Sequence, residues 1–278
     1  MEDSVDNLQD TAKRETATRE TAARLEWANY AQVAYFARAV PGVAVSISSE
    51  MVQVTSQQIP MMDVNHTAML RVPAECAGER IREITAHYRD LGIQPCIALS
   101  PACAPADLEQ RLEAQGYEKF GGPEYWLKLV DTSVVEKLKD PPGITVRQIG
   151  REDLPTFCQV MAAAFEMPAE MAPMLQQGFE HTCDLPGVRS YVAYAGGQPV
   201  GCVSMNTYQG YTAVGSGGVL PDARRLGTSY ALWKRTYEDW RKIDGGEYIM
   251  QTAIPMLEKV LRMGGCKRLF TRTYYVLP

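Results

Sequence analysis

The stretch Val219-Leu220-Pro221-Asp222-Ala223-Arg224-Arg225-Leu226-Gly227-Thr228-Ser229 has residue types suited to holding a polyanion. It reads as a strand end, then a basic turn with one glycine, then the start of a helix. Backbone N–H groups at a helix start have no partner inside the helix. Gly227 lets a bulky anion approach the main chain. Thr228 and Ser229 are small hydroxyl residues that either cap the helix or touch phosphate. Arg224 or Arg225 can reach outer phosphate oxygens, and the helix dipole adds attraction. An ordinary strand-to-helix turn with surface arginines has the same composition. The segment is neither a P-loop nor a GxGxxG turn, because it lacks their glycines and the P-loop lysine.

Such a turn needs a strand and a helix to hold it. Tyr211 to Leu220 reads as a long strand loosened by Gly215-Ser216-Gly217-Gly218, and Thr228 to Ile243 as a helix with an apolar stripe. Before them, Ile144 to Arg147 reads as a strand and Glu152 to Phe165 as a helix. Tyr191 to Ala195 and Val200 to Met205 form a hairpin around Gly196-Gly197-Gln198-Pro199. After them come a strand at Tyr248 to Thr252, a helix at Pro255 to Met263 closed by Gly264-Gly265, and a strand from Arg268 to Val276. The run Lys139-Asp140-Pro141-Pro142-Gly143 disfavours any regular element and marks a boundary. It divides the chain into residues 1–140 and residues 144–278.

The N-terminal half has a similar rhythm. Met1 to Glu20 is polar, a frayed or solvated helix. Ala22, Leu25, Ala28, Val33 and Phe36 then recur near helical period up to Pro41-Gly42. Strands are expected at Val43 to Ile47, Met51 to Val54, Ala68 to Val72, Ile93 to Leu99, Tyr117 to Phe120 and Tyr125 to Leu129. Helices are expected at Ala74 to Leu91 and from Ala106 to Gln115. The order suggests a decayed duplication.

Composition narrows the partners. The 278 residues hold 28 Lys and Arg against 33 Asp and Glu, a net charge of −5, with no long basic run. A polymeric nucleic acid is therefore not an expected partner. Seven cysteines are irregularly spaced and form no CxxC pair, so no metal site is expected. No stretch reaches the length of a membrane span, and the acidic N-terminus does not resemble a secretory signal. The expectation is a cytoplasmic protein.

From these residues the C-terminal half resembles the GCN5-related N-acetyltransferase (GNAT) family. That family's pattern is an apolar strand end, often Val-x-Pro, followed by Arg/Gln-x-x-Gly-x-Gly/Ala. Val219-Leu220-Pro221 and Arg224-Arg225-Leu226-Gly227-Thr228-Ser229 supply it, with Ser229 in place of Gly or Ala. The resemblance covers Ile144 to Pro278. It implies a tandem GNAT-like α/β fold, with mixed, mainly antiparallel sheets flanked by helices and a degenerate first half. It also implies acetyl-CoA or another acyl-CoA as donor, its pyrophosphate on the amides of Arg225 to Ser229. The pantetheine arm would pair with Gly217, Gly218 and Val219.

The same resemblance implies transfer of an acetyl group to a small amine or amino-acid-like acceptor. Two alternatives stay open: a non-catalytic acyl-CoA sensor, and an interaction protein that retains only the fold. A second copy of the chain also stays open as a partner. The family's proton-donating tyrosine falls on Leu261 or Val260 here, and neither donates a proton. Polar groups expected near the cleft are Glu166, Glu180, His181, Tyr208, Tyr211, Ser216, Thr252 and Tyr274. Glu166, His181, Tyr208 and Tyr211 are the catalytic candidates. Glu166 equally suits a helix end, His181 a surface site and the tyrosines half-buried strand positions. His66 is a weaker candidate for a cleft position.

Overall fold

A computed structural model describes residues 2–168 and 170–278, with side chains from Lys13 onward. Met1, and the side chains of the expected solvated segment before Lys13, lie outside the described residues. The chain forms two compact units, Met1–Trp126 with Arg268–Pro278, and Leu127–Lys267. The division falls between Trp126 and Leu127 rather than at the Lys139–Gly143 run, and the last strand passes back into the first unit.

Unit 1 begins with helix α1 (Glu2–Ala37), followed by strands β1 (Val43–Ile47), β2 (Val52–Ser56) and β3 (His66–Ala68). Helix α2 (Ala77–Asp90), β4 (Cys96–Leu99), α3 (Leu108–Ala114) and β5 (Glu118–Leu129) come next. Val52, Val54 and Ser56 alternate inward along β2, as a half-buried strand requires. Ile81, Ile84 and Tyr88 form the buried face of α2. That helix stops where Gly92 takes a left-handed φ of 68°. The expected strand over Ala68 to Val72 ends early, because Met69 turns to a φ of 54°. The two strands expected at 117–129 are one, continuous through Gly121 at φ 66°.

Unit 2 contains α4 (Ser133–Lys137), β6 (Ile144–Ile149), α5 (Leu154–Ala164), α6 (Met171–Glu180), β7 (Val188–Ala195), β8 (Gln198–Tyr208) and β9 (Tyr211–Val219). It continues with α7 (Thr228–Lys242), β10 (Glu247–Thr252) and α8 (Pro255–Met263). Strand β11 (Cys266–Val276) starts in this unit and ends in unit 1. Short helices α4 and α6 have no counterpart in the sequence reading.

In unit 2 the strand order is β10-β9-β8-β7-β6, antiparallel except for β9 with β10. In unit 1 the order is β1-β2-β3-β4-β11-β5, with β3 and β4 parallel and the β1–β2, β2–β3 and β4–β11 pairs antiparallel. A parallel pair needs a crossover, and α7 and α2 supply it. Each unit therefore runs hairpin strands, strand, helix, strand, helix, strand. Among the described residues no helix is long and apolar enough to cross a membrane.

Candidate functional site

The site is built where β9 loses its β10 neighbour while still paired with β8. Glu247 to Met250 of β10 pair with Tyr211 to Val214 of β9. Beyond Val214↔Met250 the register ends, while β9 runs on to Val219 and β10 to Thr252. On its other side β9 carries a bulge. Cys202 faces Gly218 and Ser204 faces Gly215, so Val203 opposes two residues, Ser216 and Gly217. Ser216 sits at φ 49° within that bulge. An extra residue in one strand bends it, and here the bend lies where β9 and β10 stop pairing. The result is a gap between two parallel strands, with strand edges facing it.

The basic turn closes one end of this gap. Pro221–Ala223 makes a 3₁₀ turn, Arg225 takes a φ of 76°, and Gly227 takes φ 83° as the residue before α7. The amides of Thr228 and Ser229 open α7, where helix N–H groups have no intrahelical partner. Left-handed residues followed by a helix start make a concave set of N–H donors suited to an anion. Arg225 and Ser229 are exposed beside it.

Two side chains take other roles than the sequence suggested. Arg224 folds back, donating from Nε to the Val219 carbonyl at 3.3 Å and from Nη2 to the Ala164 carbonyl at 3.5 Å. It ties the end of β9 to the end of α5 instead of reaching outward. Thr228 is buried, and its hydroxyl donates to the Ala223 carbonyl at 3.2 Å. That hydroxyl is committed to the turn, not to a ligand. Leu226 is 51% exposed and contributes backbone rather than core.

The glycines separate by cause. A Cβ on Gly218 would lie 2.6 Å from the Ala164 Cβ, so its absence lets α5 pack on β9. A Cβ on Gly217 would lie 3.2 Å from Val203 Cγ2. A Cβ on Gly215 would meet nothing within 4 Å. Gly215 and Gln251 are the first positions past the paired part of β9 and β10. Both were missed in the sequence, where the Gly-Ser-Gly-Gly run signalled only a loosened strand.

Tyr211 and Tyr208 pair across the tight turn of the β8–β9 hairpin, at the end of β9 opposite Val219. Eight residue steps separate Tyr211 from Val219, about 26 Å of strand. Tyr211 is 2% exposed and its hydroxyl accepts a hydrogen bond from Gln251 Nε2 at 3.3 Å. Its phenol is thereby linked to the first residue of the gap on the β10 side. Tyr208 is half-buried. Thr252 Oγ1 accepts the Ile254 N–H at 3.1 Å and shapes the entry to α8.

Glu166 lies just past α5, exposed at φ 54°, and His181 is the exposed residue ending α6. Glu180 accepts a hydrogen bond from Gln176 at 2.7 Å. Tyr274 belongs to unit 1, where it is buried edge-on to His66. His66 is a core residue. Its Nδ1 donates to the Met62 carbonyl at 2.9 Å and its Nε2 accepts from the Tyr30 hydroxyl at 2.8 Å. Burial, and then the nearby Arg272 charge, push its pKa down to about 3, so the ring is neutral.

Leu261 is 2% exposed and Val260 half-buried, and neither side chain carries a proton to donate. Burial pushes the Cys202 and Cys266 thiols up to about 12, which leaves neither as a thiolate nucleophile at neutral pH. Among the described residues no three His, Cys, Asp or Glu side chains group to hold a metal.

Residues 154–271 match the family model of the Acetyltransferase (GNAT) family. The chain carries a GNAT fold. A GCN5-related N-acetyltransferase from Kribbella flavida superimposes with a TM-score of 0.68 at 14% identity, covering 94% of this chain and 95% of that one. A conserved protein of unknown function from Staphylococcus epidermidis gives 0.66 at 12% identity over 86% and 94% of the chains. A tandem GNAT protein from the clavulanic acid biosynthesis pathway gives 0.55 at 16% identity over 85% and 83%. No curated protein matches the chain.

Proposed function

We propose that the chain is an acyl-CoA-dependent N-acyltransferase, with acetyl-CoA as donor and a small amine or amino-acid-like molecule as acceptor. The observation that carries this reading is the gap between β9 and β10, with the left-handed turn and the start of α7 following the end of β9. The pyrophosphate would lie on the turn from Arg225 to Ser229, with the Arg225 guanidinium beside it; the Leu226 N–H is donated to the Ala223 carbonyl at 3.4 Å and is not among its donors. The pantetheine would follow the free edge of Gly217 to Val219. The GNAT match over residues 154–271 supports the same assignment.

In the reaction the acceptor nitrogen attacks the thioester carbonyl carbon. The carbon–sulfur bond then breaks, an amide forms, and the thiolate takes a proton. A base removes the ammonium proton, directly or through water, and Glu166 and His181 are the candidates. Tyr211 is the hydroxyl we favour at the reacting end, because its hydrogen bond to Gln251 holds it toward the gap. Tyr208 is the second candidate there.

Unit 1 would be a decayed copy without a cofactor, giving one acyl-CoA per chain. Its counterpart of the gap is bridged: Ala104 N–H donates to the Leu70 carbonyl at 2.8 Å and Val72 N–H to the Ala104 carbonyl at 3.1 Å. Arg71 and Ala104 form a parallel bridge there. The segment leading into α2 carries Glu75 and no glycine.

Calorimetric titration with acetyl-CoA tests the donor and should give a stoichiometry of one. Ser229→Glu should weaken binding by about tenfold or more, because a carboxylate would then occupy the anion site. An acidic residue in the first turn suits the helix, so the fold should persist. Unchanged affinity would place the cofactor elsewhere. Free-thiol release with a panel of amines then separates a transferase from an acyl-CoA sensor, the reading that the buried Leu261 favours. Binding without release from any amine would select the sensor.

A further inference from the structure

We infer that Gly215 sets the size of the acyl group, and that the site admits acyl chains one or two carbons longer than acetyl. This rests on the acyl-CoA reading above. Glycine inside a strand costs stability, through lost chain entropy and a missing packing side chain. Its retention needs a cause.

Gly215 borders the bulge at Ser216–Gly217 but is itself paired with Ser204, and neither a left-handed backbone nor a close neighbour accounts for it. Its φ is not in the left-handed region, unlike Gly210 or Gly227. No neighbour requires the missing side chain, unlike Gly218, where Ala164 would be struck, or Gly217, where Val203 stands at 3.2 Å. Carbon atoms in contact sit about 3.5–4.0 Å apart. With nothing within 4 Å of the Cβ position, a full methyl group fits there without touching the protein. The glycine keeps that volume empty, although Val214 beside it is 4% exposed.

The position fits an acyl group. The turn at 224–229 would take the pyrophosphate, and the edge from Val219 back to Gly217 would take the pantetheine. The thioester end then arrives at Ser216 and Gly215, where β9 and β10 begin to separate. Gln251 is the matching first residue on β10, and its amide is bonded to Tyr211 rather than extended over Gly215. Carbons beyond acetyl would enter the open volume at the Gly215 Cβ position, beside the Tyr211–Gln251 pair.

The test is calorimetric titration of the full chain and of Gly215→Val with CoA, acetyl-CoA and butanoyl-CoA. Wild type should bind butanoyl-CoA within about threefold of acetyl-CoA. Gly215→Val should weaken butanoyl-CoA by about tenfold or more relative to CoA, since a methylene against a filled pocket is worth about that much. Gly215→Ala should fall between. A wild-type affinity for butanoyl-CoA tenfold below that for acetyl-CoA would overturn the inference without any variant. An unchanged ratio in a folded Gly215→Val would overturn it as well. If wild type binds none of the three, the acyl-CoA reading itself has failed, and this inference with it.

Discussion

Gly227 carries two constraints at once, and neither is a ligand. Its φ of 83° strains any L side chain, and a Cβ there would sit 2.7 Å from Pro141 Cγ and 2.8 Å from Pro141 Cβ. The left-handed conformation costs about 1–2 kcal/mol, before the clash is counted. Gly227→Ala should therefore lower the stability of unit 2 by about 2 kcal/mol, measured by urea unfolding. An unchanged midpoint would contradict the turn geometry. Substitution at Gly227 is thus a poor probe of anion binding, whereas Ser229 is exposed and serves better. The turn was legible in the sequence as residue types. The side-chain roles were not, because Arg224 and Thr228 are spent on carbonyls at Val219, Ala164 and Ala223. Sequence spacing says that donors are near a turn; only geometry says which acceptors reach them first.

At the scale of elements, α7 and α8 pack through another glycine. A Cβ on Gly264 would fall 2.5 Å from Trp233 Cζ3 and nearer still to Cη2. Trp233 is 5% exposed, its ring packed against Gly264. Overpacking of this kind costs about 1–3 kcal/mol, so Gly264→Ala should lower the urea midpoint by a corresponding amount. A neutral result would mean that the ring can shift. Most elements around the site were legible for a simple reason. β7, β8, β9, α7, β10 and α8 each have a clear period and a turn residue at the end. What failed was decided by partners distant in sequence. β5 reads as two strands because Gly121-Gly122-Pro123 interrupts it, yet it runs unbroken beside β11. The gap itself is a register ending between β9 and β10, and neither strand's own sequence encodes where pairing stops.

At the scale of the whole molecule, the chain closes unit 1 with its last strand, and the chemistry of that closure is pH-dependent. β11 brings Arg272, 4% exposed, against Glu124 through Nε at 2.9 Å and Nη2 at 2.8 Å. Arg272 Nη1 donates to the Tyr30 hydroxyl at 3.0 Å, and the guanidinium lies over the Trp126 and Tyr274 rings. Glu26 of α1 faces the same cluster, 1% exposed. Its Oε2 takes the Ser100 hydroxyl at 2.8 Å, and its Oε1 stands 3.9 Å from Arg272 with no hydrogen-bond donor. One guanidinium thus faces two carboxylates. Burial raises the Glu26 pKa from 4.5 to about 7; Arg272 and Ser100 oppose that rise, and Glu124 adds to it. A carboxyl with a raised folded pKa binds its proton more tightly when folded. Its contribution is complete below pH 4.5, declines as pH rises toward about 7, and is then flat. Over that window the loss is on the order of 3 kcal/mol. Glu26→Gln keeps an acceptor for Ser100 and removes the titration. The variant should match wild type near pH 4.5, unfold at higher urea than wild type at pH 8, and show a shallower slope between, keeping only what other buried carboxyls such as Asp63 supply. Parallel pH curves for the two proteins would show that Glu26 is ionised throughout and that Arg272 neutralises both carboxylates.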